Sequence, residues 1–309
     1  MHISLNRTKY FLAVATSAIT SSLIAIAPSQ AASLSFSEGK VDFTNFSQKA
    51  RPIGAFTQTD TAISLNTGSY ARGIAEASAE FFVDEELNVF SQGSSDTEVI
   101  SGNNSATKKV TSEPLVIDGQ FASNVSTTLG IGNGEEDYNI FTKSFAEVFG
   151  DFVVEAGEDF SFDFRANLDL TTAIDNVNKE KATASGSILW QLLDTDTGSI
   201  LDSFNLNAYL NATSDDDSLT FNNNNSNFML FSEEPSLNSS FGGNQETAFA
   251  SIQGAYKRNF QNKTNLRLVE LKNNTASVSV PEPTTILGLF LSCGVLMILN
   301  FKSHKKVID

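Results

Sequence analysis

Three aspartates, Asp194, Asp196 and Asp202, surround a glycine-containing turn in the run Asp194-Thr195-Asp196-Thr197-Gly198. Two further acidic triplets occur at Glu135-Glu136-Asp137 and Asp215-Asp216-Asp217. Hard cations take several carboxylate and carbonyl oxygens from one loop, so calcium is the cofactor that Asp194, Asp196 and Asp202 could hold. None of the three clusters matches the full calcium loop that ends in a spaced glutamate, and aspartate is also an ordinary turn residue. The two histidines, His2 and His304, lie near the chain ends, and the only cysteine, Cys293, sits in an apolar C-terminal run. The long middle of the chain therefore has no base of near-neutral pKa and no thiol. This excludes Ser-His-Asp and Cys-His nucleophile systems there, and also zinc, copper and haem sites. No P-loop or dinucleotide fingerprint is present. A pair of acids could still hydrolyse glycosides, but nothing in the pattern selects two of them. Sugar clefts also favour aromatic platforms, and here the choice is Trp190 with Tyr70, Tyr138, Tyr209 and Tyr256. Trp190 falls on an apolar strand face, which predicts core packing.

The elements that would position these groups are strands. In Phe160-Phe162-Phe164-Ala166-Leu168-Leu170 every second residue is apolar, with Ser161, Asp163, Arg165, Asn167 and Asp169 between them. Successive strand side chains point to opposite faces, so this reads as a long strand with one wet face. Ile188-Trp190-Leu192, the Asp/Gly turn, and then Phe204-Leu206-Ala208-Leu210 predict a β-hairpin. Alternation returns from Ala248 to Phe260 and at Leu266-Leu268. Tyr70 to Val83 also reads as a strand, with Ala71, Gly73, Ala75, Ala77 and Ala79 on one face. That row of small side chains would let another sheet approach closely. Turn chemistry is dense between the runs, as at Gly242-Gly243-Asn244. No stretch shows a long helical period. The expected fold is all-β, a jelly-roll-like β-sandwich of about 10 to 14 strands. Residues 96–112 are expected to form a flexible loop and residues 272–280 a short link.

Both chain ends carry targeting patterns. Arg7 and Lys9 precede a small-residue apolar stretch and then Ser29-Gln30-Ala31-Ala32. Small residues at Ser29 and Ala31 suit signal peptidase, which predicts a signal peptide over 1–32. At the other end Val280-Pro281-Glu282-Pro283 precedes an apolar run over 284–301, followed by Lys302, Lys305 and Lys306. At about 1.5 Å rise per residue the run reaches roughly 27 Å, close to a bilayer core. The basic cluster should stay in the cytoplasm, which places the preceding chain outside.

This ordered set, Val280-Pro281-Glu282-Pro283, an apolar helix and a lysine-rich end, resembles the PEP-CTERM sorting signal. The resemblance covers about the last tenth of the chain. It implies recognition by an exosortase, processing near Pro281-Glu282-Pro283, and delivery to the cell surface or matrix. The middle, through Phe160-Ser161-Phe162-Asp163-Phe164 and Phe241-Gly242-Gly243-Asn244-Gln245-Glu246, is similar to cyanobacterial PEP-CTERM proteins, a likeness that carries no activity with it.

Charge narrows the partners. Removing Arg7, Lys9, Lys302, Lys305 and Lys306 from the 20 basic residues, and Glu282 and Asp309 from the 36 acidic ones, leaves residues 33–279 near −19. Such a field repels nucleic acid and anionic headgroups. With no cysteine there, stability must come from core size, and roughly 250 residues suffice for a substantial core. The expected layout is a signal peptide over 1–32, a sandwich over 33–271, a link over 272–280 and a sorting tail over 281–309. The expected role is an exported, non-catalytic, surface- or matrix-associated structural or adhesive protein. A carbohydrate-binding module for exopolysaccharide is the alternative, and a carboxylate glycosidase the third.

Overall fold

The computed structural model describes residues 32–280, apart from 66–68, 85–86, 101–103, 113–120, 134–136, 223–226 and 231–235. Ser29, Ala31 and everything from Pro281 onward, including Pro281, Glu282 and Pro283 of the sorting motif and Lys302, Lys305 and Lys306, lie outside the described residues.

The period-two pattern becomes strands of up to 17 residues. In chain order these are β1 (Ala32–Thr44), β2 (Ile53–Leu65), β3 (Tyr70–Asp84), β4 (Leu87–Ile100), β5 (Asn104–Ser112), β6 (Phe121–Asn133), β7 (Tyr138–Val154) and β8 (Asp159–Ala173). There follow β9 (Lys181–Asp194), β10 (Ile200–Asn211), β11 (Ser218–Asn222), β12 (Phe228–Leu230), β13 (Ser236–Ser240), β14 (Gln245–Asn259) and β15 (Thr264–Val280). They form two antiparallel sheets. Sheet I runs β12-β14-β8-β1-β6-β3-β4, with β13 also paired to β14; sheet II runs β11-β10-β9-β15-β7-β2-β5. The result is a β-sandwich in which most connections pass from one sheet to the other.

Two expectations fail. The expected loop over 96–112 holds strand instead, with residues 96–100 completing β4 and residues 104–112 forming β5. Residues 272–280 are not a link but the second half of β15, paired with β7 to its last residue. Strand β5 and the short strands β11 to β13 bring the total among the described residues to fifteen, above the expected range. The reason is visible in β15. Asn274, Ala276, Val278 and Val280 face inward alternately, and the interior there accepts small side chains, so no bulky apolar run marks the strand.

The interior has distinct zones. Toward the Thr44/Val154 end it is aromatic. Trp190 stacks on Phe204 at 5.9 Å between centroids and meets Phe162 edge-on at 5.3 Å, while Phe162 stacks on Tyr256 at 5.1 Å. Each fully buried ring of this kind contributes about 1.5–3 kcal/mol of transfer free energy. Trp190 is thus core, as the sequence predicts.

The middle of the interior is polar. Ser126 and Ser144 hydroxyls meet at 2.6 Å, and Thr57 and Ser91 at 3.0 Å. Ser37 donates to Asn274 Oδ1 at 3.0 Å, and Asn274 Nδ2 donates to the Ser126 carbonyl. Lys272 Nζ lies 2.6 Å from Glu270 Oε1, and both residues are fully buried. Buried polar groups need such partners because desolvation is otherwise uncompensated. The sheets approach closely here. A Cβ placed on Gly73 would lie 2.6 Å from the Thr61 methyl and 2.8 Å from that of Thr142. The small face of β3 therefore does what its alanines predict.

Both ends of the described chain leave at one end of the sandwich. Val280 pairs with Tyr138, whose hydroxyl donates to Ser33 Oγ at 2.9 Å, one residue from the start of β1.

Candidate functional site

The three aspartates expected to share a cation do not meet. Asp194 and Asp196 lie in the β9–β10 turn, whose αL position is filled by Gly198 at φ 71°. Asp194 Oδ1 accepts the Asp196 and Thr197 N–H groups at 2.9 and 3.1 Å, and Asp196 accepts from Asn265 Nδ2 at 3.0 Å. Asp202 points inward from β10. It accepts the Tyr256 hydroxyl and a 2.9 Å bond from Arg258. The spacing that suggested a calcium loop serves a turn and a buried anchor instead. Among the described residues no group of three or more acids, histidines or cysteines is gathered to hold a metal.

The tyrosines form no row. Tyr138 and Tyr256 are buried, while Tyr70 and Tyr209 are half-buried on the outward faces of different sheets. Desolvation pushes the Tyr138 phenol up to about 12. Burial, with the nearby Asp202 carboxylate, pushes Tyr256 higher still. Among the acids raised by a neighbouring carboxyl is Glu246. Burial first and Asp217 second raise it, while Thr172 and the Gly242 N–H donate to it. Glu246 is 1% exposed, so it does not line an open cleft.

The aromatic surface lies elsewhere, on the outer face of sheet II. Strand β7 turns Ser144, Ala146 and Gly150 inward and Phe141, Phe145 and Phe149 outward. Four residues of strand span roughly 13 Å, so three rings sit in a column along one strand. Phe56 of β2 joins them, 5.9 Å from Phe145. Phe56, Gln58, Asp60, Lys143 and Phe145 line a groove of about 180 Å³. Asp60 Oδ1 has no hydrogen-bond partner. Beside the groove the Arg267 guanidinium lies 4.8 Å from the Phe149 ring centroid and is held by Asp151 at 2.5 and 2.7 Å. Burial pushes the neighbouring Glu147 carboxyl up, against the pull of Arg267. Phe141 is 42% exposed.

Chemically this is a set of ring faces edged by a carboxylate, an amide, an ammonium and a guanidinium. Rings of this kind stack on flat apolar faces, and the polar rim can meet hydroxyls. The sequence reading, directed at tyrosine and tryptophan, does not single out these phenylalanines. The available signal is phenylalanine at every fourth position with small residues alternating between, which puts the rings on the face opposite the core.

No protein-family model matches this sequence, and no curated protein matches it.

Proposed function

We propose that the chain is an exported PEP-CTERM protein that acts without catalysis as a structural or adhesive component of the cell surface or extracellular matrix. In this reading signal peptidase cuts within Ser29-Gln30-Ala31-Ala32, segment 284–301 holds the protein in the inner membrane with the sandwich outside, and an exosortase acts near Pro281-Glu282-Pro283. The observation that carries it is the placement of the two ends. The sandwich starts at Ala32 and stops at Val280 within the same end, directly beside the two targeting patterns. A domain tethered there presents both outer faces and its far end to its surroundings. Its jelly-roll-like character rests on the many sheet-to-sheet connections.

The intact mass of the mature protein, measured fraction by fraction from the native host, tests this. A chain ending near residue 280 outside the inner membrane is the expected result. A chain that keeps Ile286 to Phe301 and occurs only in the membrane fraction rejects release to the surface. Unchanged aggregation and biofilm after gene deletion would reject the adhesive role.

The column of Phe141, Phe145 and Phe149 with Phe56 supports a second reading, binding of exopolysaccharide on the outer face of sheet II. Retardation in gels containing the host polysaccharide should weaken at least tenfold on Phe56→Ala/Phe145→Ala. Equal retardation of the variant would sink it.

A further inference from the structure

The polar middle of the interior contains one group of three side chains that packing does not require. Glu270 and Lys272 are two residues apart on the inner face of β15, and Asn124 faces them from β6 of the other sheet. All three are fully buried. The two oxygens of the Glu270 carboxylate have different tasks. Oε1 lies 2.6 Å from Lys272 Nζ, and Oε2 accepts from Asn124 Nδ2 at 2.5 Å. Asn124 Oδ1 has no partner. The lysine stem runs over Gly39, where an added Cβ would lie 3.4 Å from Lys272 Cδ.

A buried ion pair is weak grounds for stability, because its desolvation rivals its attraction. The surrounding zone is filled at lower cost by paired hydroxyls such as Ser126 with Ser144. What the trio supplies instead is an amine, a primary amide, and one carboxyl touching both the nucleophile and the leaving nitrogen. A general acid–base group must lie within hydrogen-bond reach of the protons it moves, and Glu270 reaches both.

We propose that Lys272 and Asn124 become joined by an intramolecular isopeptide bond, formed by Glu270-assisted aminolysis, that ties sheet II to sheet I. Lys272 Nζ first gives a proton to Glu270, leaving a neutral amine and a carboxylic acid. The amine lone pair attacks Asn124 Cγ, and the carbonyl π pair moves onto Oδ1. As the tetrahedral centre collapses, the Cγ–Nδ2 bond breaks. Glu270 passes its proton to the departing nitrogen and takes one from the attacking nitrogen. The products are a secondary amide between Nζ and Cγ, a protonated Glu270 and one ammonia. Atoms and charge balance, and no oxidant or cofactor is needed. Burial supports the starting state: desolvation pushes Glu270 up and Lys272 down to about 8, both toward the uncharged pair. Water exclusion favours aminolysis over hydrolysis of the same amide.

The test is a peptide map with intact mass on the full chain, purified from its host and denatured before digestion. The expected result is a branched peptide linking residue 124 to residue 272, and a protein lighter by one ammonia than its mapped ends require. Linear peptides with free Lys272 and unmodified Asn124 would overturn the proposal and leave an ion pair only. Glu270→Gln should restore the missing ammonia and abolish the branch. Should that variant fail to fold, the wild-type map decides alone. An ammonia lost at another asparagine counts against the proposal, since the map locates it.

Discussion

Around Trp190 the space between the sheets is filled by interlocking rings, whereas around Ser126 and Lys272 it is filled by hydroxyls, amides and charge. The first zone gains from surface removed from water and depends little on direction. The second gains little from transfer, and each of its atoms must find its partner at a fixed distance and angle. The same alternation of side chains builds both, so strand formation here is set by the pattern of inward and outward positions more than by inward hydrophobicity. A fold assembled this way is sensitive to volume at one end and to pairing at the other.

That contrast can be broken with substitutions and with pH. The largest loss should come from Trp190→Ala, which empties the centre of the ring cluster and should cost about 3–5 kcal/mol in urea unfolding. Raising the pH should come next. The unfolded tyrosine loses its proton near 10, but folded Tyr138 holds it to about 12, and Tyr256 is shifted in the same direction. The unfolded state thus releases protons first, and stability should fall as pH rises through that window, by about 1.4 kcal/mol per unit for each tyrosine fully titrating. Tyr138→Phe should reduce the slope by one such contribution. A smaller effect is expected in the polar zone. Ser126→Ala leaves the Ser144 hydroxyl without its 2.6 Å partner and should cost about 1–3 kcal/mol, while Ser126→Ala/Ser144→Ala should recover most of it. Equal losses in the single and double variants would show that the pair is not the unit of stability. The smallest change is Phe141→Ser on the exposed face, within about 0.5 kcal/mol in unfolding.

The legible parts of the sequence were those where the inward residues are bulky. Strand β8 with Phe160, Phe162 and Phe164, and the β9–β10 hairpin closing through Gly198, emerge as their alternation and turn chemistry predict. The second half of β15 was not legible, because Ser, Thr and Asn serve equally in loops and along narrow polar interiors, and the same residue types hid β5 in the sequence. Asp202 illustrates a signal present but outweighed. Its parity with Phe204, Leu206 and Leu210 places it inside, whereas proximity to Asp194 and Asp196 suggested a loop ligand. The outer phenylalanines were obscure for another reason. In β7 the inward face is marked by Ile140, Val148, Phe152 and Val154, and the outward face by Lys143, Glu147 and Asp151, so the three outward rings are read as exceptions within a charged face rather than as a surface of their own. The polar trio needs the register of two sheets, since Asn124 is 146 residues from Glu270 in the chain.

The place of β15 also has a mechanical meaning. It is a central strand, paired along all 17 of its residues with β7 and along most of its length with β9. A pull at Val280 along the strand axis loads both ladders in shear, so many hydrogen bonds must fail together rather than peel one by one from an edge. A domain tugged by its C-terminal end would hold its shape until that whole strand slid out, as a bolt does rather than a zip.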